Sequence, residues 1–363
     1  MVNSWKYFKI NLYDSYGTYM AGDLIMGKVE FCLLDRVKIN GIKLRLMGQA
    51  KVNWTEKKGN GRFETSVTFN ENENYVDIIL SVLSKKNGQD LYLDKGKYTF
   101  PFEIRLPSQL PTSIEHTDGR IRYFLCSTIE IPWGLNKTYK LPITIISLLD
   151  LNRNLQLKLS QSVTNHKTIC CLCCSQKPIN IWFNLYKTGY VCGEAIVFNA
   201  TLNNQSSRKI PLVVLKLVQI LKFHTKSKVK TIAREVTHIV FNKEIQPMSR
   251  VDWDNSVLTI PSVCPSSQNT SRLIEVSYTL VLSVEPSWPS SPLALKIPIT
   301  IGSVPFRSSS FSNFDSLNNA YDLPTYQECV FDIDSSNQIA DEQNDDINFA
   351  PLYPIYSNSH NLN

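Results

Sequence analysis

The sequence has no apolar run long enough to cross a membrane as a helix. Its longest apolar stretch, residues 143–151, is interrupted by Thr144, Ser147 and Asp150, whereas a membrane helix needs about 20 predominantly apolar residues. The first residues alternate aromatic and polar types and contain no apolar core of a secretory signal. We therefore expect a protein of the cytoplasm.

Signatures of catalysis are also missing. None of the five histidines lies in a His-Glu-x-x-His helix motif, which would hold zinc. There is no Gly-x-Ser-x-Gly nucleophile elbow and no Gly-x-x-x-x-Gly-Lys phosphate loop. These absences argue against a zinc protease, a serine hydrolase and a nucleotide hydrolase. We predict that the protein is not an enzyme and needs no cofactor.

Cysteine is scarce outside one segment. Four of the nine cysteines lie in the stretch Cys170–Cys174, and both the odd total and this crowding are unlike a disulfide framework. The stretch holds two interlaced Cys-x-x-Cys pairs, but structural zinc usually takes two separated pairs. We predict free thiols in a reducing compartment and no metal. A metal-linked or redox-linked regulator, or reversible acylation of this cluster, remains the alternative.

Charge is unevenly distributed along the chain. The formal net charge is +6, but from Phe306 onward there is one arginine against nine acidic residues, a net charge of −8 that leaves +14 for the rest. A basic body with an acidic tail is typical of proteins attracted to acidic membrane surfaces or acidic peptides. Lysines dispersed for solubility explain the same numbers equally well. No nucleic-acid partner is predicted.

The hydrophobic pattern has a period of two. Ile42, Leu44 and Leu46 alternate with Lys43 and Arg45, and the same alternation occurs in residues 100–106, 179–185 and 293–301. Such alternation indicates antiparallel strands with one buried face, and we find no long helical stripe. Strands separated by glycine, proline, asparagine and serine predict an all-β protein built of sandwiches.

Three motifs recur in the same order. Tyr19-Met-Ala-Gly-Asp returns at Tyr190, Leu106-Pro-Ser returns at Ile260, and Lys140-Leu-Pro-Ile-Thr-Ile returns at Lys296. The glycine of the first motif suits a turn with positive φ, and the prolines of the second interrupt sheet pairing. The repeat predicts two copies of one sandwich: residues 1–150 and 178–305, with a connector at 151–177 and an acidic, disordered tail at 306–363.

The ordered motifs resemble those of the arrestin-domain-containing proteins, or α-arrestins, over roughly residues 7–303. The segments that carry the resemblance are Tyr19-x-x-Gly-Asp-x-Ile-x-Gly27, Gly41-Ile-Lys-Leu44, Trp54-Thr-Glu56, Phe100-Pro-Phe102, Leu106-Pro-x-x-Leu-Pro111, Gly119-Arg-Ile-Arg-Tyr123, Pro132-Trp133, Gly189-Tyr190-x-x-Gly-Glu194 and Pro298-Ile-x-Ile-Gly302. The resemblance implies two arrestin-like, immunoglobulin-like β-sandwich domains. It also implies a non-catalytic trafficking adaptor that links cytoplasmic regions of membrane proteins to ubiquitin ligases and endocytic sorting, at the plasma membrane and endosomes.

Members of that family carry Pro-Pro-x-Tyr motifs that bind WW domains of HECT-class ubiquitin ligases. The matching segments here are Leu323-Pro324-Thr-Tyr326 and Ala350-Pro351-Leu-Tyr353, and both lack the first proline. A WW domain holds a polyproline II segment on aromatic rings and receives the tyrosine separately. These segments keep the tyrosine half and are the predicted WW-binding sites. The alternative is an endosomal scaffold that binds no ligase.

Overall fold

The computed structural model describes residues 4–14, 16–59, 64–85, 89–168, 177–241, 243–288, 290–307, 324–329 and 349–356. In these ranges the regular structure consists of strands and two short 3-10 helices, Leu151–Arg153 and Leu155–Lys158. The strands are β1 (Trp5–Leu12), β2 (Thr18–Met20), β3 (Leu24–Leu33), β4 (Val37–Ile39), β5 (Gly41–Lys58), β6 (Thr65–Ser84), β7 (Leu91–Leu93), β8 (Gly96–Arg105), β9 (Gly119–Glu130), β10 (Lys137–Ile146), β11 (Gln161–Lys167), β12 (Ile179–Leu185), β13 (Gly189–Val191), β14 (Ala195–Asn204), β15 (Leu212–His224), β16 (Val229–Phe241), β17 (Ser249–Thr259), β18 (Ile274–Glu285), β19 (Leu293–Gly302), β20 (Thr325–Glu328) and β21 (Leu352–Ile355). The all-β prediction is confirmed. In the part of the chain so described, no helix has the length and apolarity needed to cross a bilayer.

The first sandwich packs the sheet β1-β3-β8 against the sheet β2-β10-β9-β5-β6. Neighbouring strands are antiparallel, except that β2 runs parallel to β10. On β5 the alternation is realised as predicted, because Leu44 and Leu46 are fully buried. The intervening Lys43 and Arg45 face solvent and pair with acidic residues of neighbouring strands. One face of the strand thus supplies the core while the other stays hydrated.

The second sandwich repeats the arrangement of the first and adds one edge strand, β11, to the smaller sheet. Its sheets are β11-β12-β14-β17 and β13-β19-β18-β15-β16, again with one parallel pair, β13 beside β19. The duplication inferred from the three motifs is therefore a duplication of topology. Strand β11 pairs with β12 along its whole length, so the structure places residues 161–167 of the predicted 151–177 connector in the second sandwich.

The repeated turn has the same geometry in both sandwiches. Gly22 has a φ of 95° and Gly193 a φ of 85°, values that favour glycine because a side chain is strained there. The next residue closes the turn in each copy. The carboxylate of Asp23 accepts a hydrogen bond from the backbone N–H three residues earlier at 2.7 Å, and that of Glu194 does so at 3.1 Å.

The repeated proline loop is fixed by a buried tyrosine in both copies. Tyr123 donates its hydroxyl hydrogen bond to the Pro111 carbonyl at 2.7 Å, and Tyr278 donates to the Cys264 carbonyl. Both rings are buried. Because a buried phenol needs a hydrogen-bond partner, each tyrosine fixes the loop that lies at the domain junction.

The two sandwiches contact each other through charged and aromatic groups. Lys230 pairs with Asp118 at 2.8 Å and Arg272 with Glu73 at 2.6 Å, both between sandwiches. The ring of Phe223 packs so closely on Gly119 that a Cβ there would lie 2.7 Å from it. Elsewhere at this junction, a surface here called the groove is lined by Ser113 and Thr144 of the first sandwich and by Cys192, Gly193 and Ser262 of the second.

The structure differs from the predicted disorder of residues 306–363 in two short segments. Residues 324–329 and 349–356 form an antiparallel pair of strands, β20 and β21, that packs into the groove. The physical reason is that Phe349, Pro351 and Tyr353 find buried surroundings there. The composition of residues 306–363 as a whole is dominated by polar residues, so it does not reveal these few apolar side chains. The remainder of the tail after residue 307 lies outside the described ranges.

Candidate functional site: the tail hairpin at the domain junction

The two predicted WW-binding segments meet in one small structure, here called the tail hairpin (residues 324–329 and 349–356). Tyr326 lies opposite Pro354, and Gln327 lies opposite Tyr353. Although the two motif tyrosines, Tyr326 and Tyr353, are 27 residues apart in the sequence, their motifs are neighbours in space. The tail hairpin contacts both sandwiches.

Tyr353 anchors the hairpin to the first sandwich. Its side chain is 1% exposed, and its hydroxyl donates to the Ser113 carbonyl oxygen at 2.9 Å. The adjacent backbone N–H of Leu352 donates to Oγ1 of Thr144 at 3.2 Å. Burial, and secondarily the nearby Cys264 thiol, raises the pKa of Tyr353 well above its ordinary value. The phenol therefore stays neutral and able to donate at physiological pH.

Backbone contacts attach the hairpin to the second sandwich. The N–H of Tyr356 donates to the Cys192 carbonyl at 3.0 Å, and the Ser262 hydroxyl donates to the Gln327 carbonyl at 2.9 Å. The Tyr356 hydroxyl donates to the Ser303 carbonyl at 2.6 Å, and burial raises the pKa of Tyr356 to about 12. Each such bond contributes about 0.5–1.5 kcal/mol net.

Gly193 provides the space in which the hairpin backbone lies. A Cβ at this position would be 2.8 Å from Cγ2 of Ile355 and closer still to the backbone oxygen of Tyr356. Its counterpart in the first sandwich, Gly22, has no comparable neighbour, because the nearest atom to a Cβ there is Cα of Ser108 at 3.8 Å. The two copies of the turn share a fold, but of the two glycines only Gly193 has tail atoms in the space that a Cβ would fill.

Comparison with known proteins gives the family. Residues 8–152 match the protein family described as "Arrestin (or S-antigen), N-terminal domain". Residues 175–306 match the family described as "Arrestin (or S-antigen), C-terminal domain". Arrestin domain-containing protein 17 of Caenorhabditis elegans is 30% identical over 312 residues, which is 82% of this chain and 70% of that protein. The chain belongs to the α-arrestin family. Its general role is that of an arrestin-family adaptor.

Other relatives resemble this α-arrestin over similar lengths. Arrestin domain-containing protein 4 of Mus musculus is 28% identical over 300 residues, 81% of this chain and 70% of the relative. Arrestin domain-containing protein 5 of Bos taurus is 26% identical over 302 residues, 80% of this chain and 89% of the relative. Both relatives are named for their arrestin domains, and each is similar to this chain over about four fifths of its length.

The predicted WW-binding residues of this α-arrestin differ in accessibility. Pro324 and Tyr326 are partly buried, and the Tyr326 ring centroid lies 5.3 Å from that of Tyr16. In the second motif Ala350 is exposed, whereas Pro351 and Tyr353 are buried. Leu323 lies outside the described residues. WW binding stays a prediction, and in this conformation the ring of Tyr353 is covered.

The groove residues were not found from the sequence. Ser113, Cys192, Gly193 and Ser262 belong to the repeated turn and proline loops, which the sequence identified as structural features only. Because both copies of each motif look alike, no signal in the sequence marks the copy that receives the tail. The contact depends on which loops face the junction, a property of the folded pair of domains.

The cysteines give no metal site in the described part of the chain. The Cys170–Cys174 cluster lies outside it, and within it no group of three or more histidine, cysteine, aspartate or glutamate side chains could hold a metal ion. Cys192 and Cys264 are buried at the groove. Burial raises the pKa of the Cys192 thiol to about 12, so the thiol is protonated and a poor nucleophile.

Proposed function

We propose that this α-arrestin is a non-catalytic cytoplasmic adaptor that links membrane-protein cargo to a WW-domain ubiquitin ligase of the HECT class and to endocytic sorting. The observation that carries the ligase link is the pair of tail segments that each keep a proline and a tyrosine at WW spacing, Leu323–Tyr326 and Ala350–Tyr353. Recruitment to the plasma membrane and endosomes follows from the cargo. Cytoplasmic regions of membrane proteins are the proposed cargo segments.

The missing first prolines set the expected strength of the interaction. A proline fixes φ and adds a ring contact, so its absence from each motif costs about 1 kcal/mol. A single segment should then bind a WW domain in the weak micromolar range or worse. Two segments bound by neighbouring WW domains recover affinity through effective concentration, which favours a partner with several WW domains.

Titration of the full chain with a ligase fragment containing four WW domains tests the ligase link. Tyr326→Ala and Tyr353→Ala should each weaken binding, and the double variant should abolish it. Leu323→Pro with Ala350→Pro should tighten binding about tenfold or more overall, since two preset φ angles are restored. If the native chain shows no binding and the proline variant binds, the ligase-adaptor function is refuted. The protein is then an endosomal scaffold that binds no ligase.

We also propose that the body contacts an acidic membrane surface. Two features support it: the net charge of +14 outside the tail, and the loop that joins β9 to β10. At the tip of that loop Trp133 and Leu135 are 104% and 91% exposed. The loop is braced by Asn136, whose side chain accepts from the Ile131 N–H at 3.1 Å. Tryptophan and leucine beside the exposed Lys137 suit the boundary between lipid headgroups and acyl chains.

A further inference from the structure

We propose that the groove at the domain junction is a binding site for an extended peptide anchored by a tyrosine, and that residues 349–356 are its ligand within the same chain. One consequence rests on the function proposed above: Tyr353 cannot occupy the groove and a WW domain at the same time. The groove site itself rests only on the contacts of the tail hairpin.

The tyrosine is selected by a carbonyl at the bottom of its pocket. The hydroxyl of Tyr353 donates to the Ser113 carbonyl, which is held in place by strand β10. The Ser113 N–H donates to the Ile145 carbonyl at 2.8 Å, and the Ser113 hydroxyl accepts from the Ile145 N–H at 2.9 Å. A fixed acceptor at this depth favours a phenol over phenylalanine. It also disfavours phosphotyrosine, because an anionic phosphate would lie against the carbonyl oxygen of Ser113, which is itself an acceptor.

The rest of the peptide is recognised mainly through its backbone, together with the bond from the Tyr356 hydroxyl to the Ser303 carbonyl. Main-chain groups of Leu352 and Tyr356 bond to Thr144 and Cys192 on opposite sandwiches. The absence of a side chain at Gly193 lets the peptide backbone approach the turn. Main-chain recognition gives affinity with little dependence on the other side chains, while one side-chain pocket gives specificity. The ligand class is therefore an extended segment with one fully buried tyrosine and a second, partly buried one three residues later, here supplied in cis.

Occupancy of the groove sets the apparent affinity of the tail for WW domains. A WW domain needs the ring of Tyr353, which is 1% exposed in the docked hairpin. Only the released fraction of molecules can bind through this motif, so the apparent dissociation constant rises by the inverse of that fraction. Both sandwiches contribute to the groove, so any rearrangement of the junction alters this fraction.

Hydrogen exchange of the full chain, followed by mass spectrometry of peptides that cover residues 349–356, tests the site. Gly193→Ala is the probe and Gly22→Ala its matched control. Both glycines have positive φ, so both variants carry the same kind of backbone strain, but only Gly193 contacts the tail. Gly193→Ala should speed exchange of the 349–356 peptides at least about tenfold by overpacking. Gly22→Ala should leave it unchanged.

A milder variant guards against unfolding of the second sandwich. Tyr353→Phe keeps the ring and removes one hydrogen bond, and it should speed exchange of these peptides about fivefold, with exchange in β12 and β18 unchanged. The site is refuted if the wild-type peptides exchange as fast as an unstructured chain, or if Gly22→Ala acts as strongly as Gly193→Ala.

The same variants separate the groove from the ligase link. In a titration with the four-WW fragment, Gly193→Ala should bind more tightly than wild type and Gly22→Ala should bind equally. If exchange changes as expected and no variant binds WW domains, the groove site stands and the ligase function fails. If Gly193→Ala binds WW domains no better than wild type although its tail is released, the competition at Tyr353 is refuted.

Discussion

Arg122 and Glu115 form an ion pair inside the first sandwich, close to the proline loop that carries Ser113. Two parallel hydrogen bonds of 2.5 and 2.8 Å join the guanidinium to the carboxylate, and both side chains are about 5% exposed. Burial raises the pKa of the Glu115 carboxyl, and the Arg122 charge acts against that rise. The Arg122 cation therefore offsets the desolvation cost of the buried Glu115 carboxylate.

Removing one partner should cost more than removing both. Arg122→Met leaves the Glu115 carboxyl buried without its cation and should lower the free energy of unfolding by about 3–5 kcal/mol. Adding Glu115→Gln to Arg122→Met should restore about 1 kcal/mol or more, since no buried charge remains. Chemical denaturation of the three proteins measures this difference. Equal stability of the single and double variants would show that the pair is hydrated.

Sequence patterns predicted the role of single residues well where that role depends on local backbone conformation. The positive φ of Gly22 and Gly193 follows from the repeated motif, and the structure confirms both. The burial of Tyr353 did not follow, because its neighbours in the sequence are typical of a disordered tail. Its partners, such as Ser113, lie 240 residues away, and no local pattern carries a contact of that range.

Among the elements, strands were predictable and the tail hairpin was not. A period of two over five or more residues indicates a half-buried strand wherever the partner strand lies, so β5, β8, β12 and β19 could be read directly. Strands β20 and β21 have four residues each, too few for a periodicity. They are strands because the groove supplies the buried surface that such short segments lack.

The β9–β10 loop is an element whose role can be tested apart from the groove. The tip lies beyond Lys137, the first residue of β10, and Lys137 is seven residues from Thr144, roughly 23 Å along a strand. Changes at the tip should therefore leave the tail hairpin in place. Trp133→Ser with Leu135→Ser should weaken binding to vesicles that contain about 30% phosphatidylserine. Raising the salt concentration should weaken the wild type as well, because the Debye length shortens.

Co-sedimentation measures this binding, and Trp288→Ser is the matched control. Trp288 is 88% exposed in the corresponding loop of the second sandwich, so it reports the effect of removing any exposed tryptophan. A larger loss at the Trp133 loop than at Trp288 supports a specific lipid-facing tip. Equal binding by all three proteins would contradict it.

For the whole molecule, the duplicated sandwich explains how one chain builds a two-sided groove. The first copy contributes its proline loop and the second its turn and proline loop, and packing the copies together brings these loops to one junction. The sequence predicted the two copies and the order of their motifs. It did not predict their packing, since that depends on contacts such as Lys230 with Asp118 that no repeat reveals.

On the scale of the whole chain, residues 349–356 should exchange between the groove and a WW-domain partner. Hydrogen exchange of the full chain, with and without a saturating four-WW fragment, tests it directly. We expect slow exchange of the Leu352 and Tyr356 amides in the free chain, because both bond to groove residues. We expect faster exchange of these amides when the WW domains bind. Amides that stay protected in the WW-bound chain, or that are unprotected in the free chain, would contradict it.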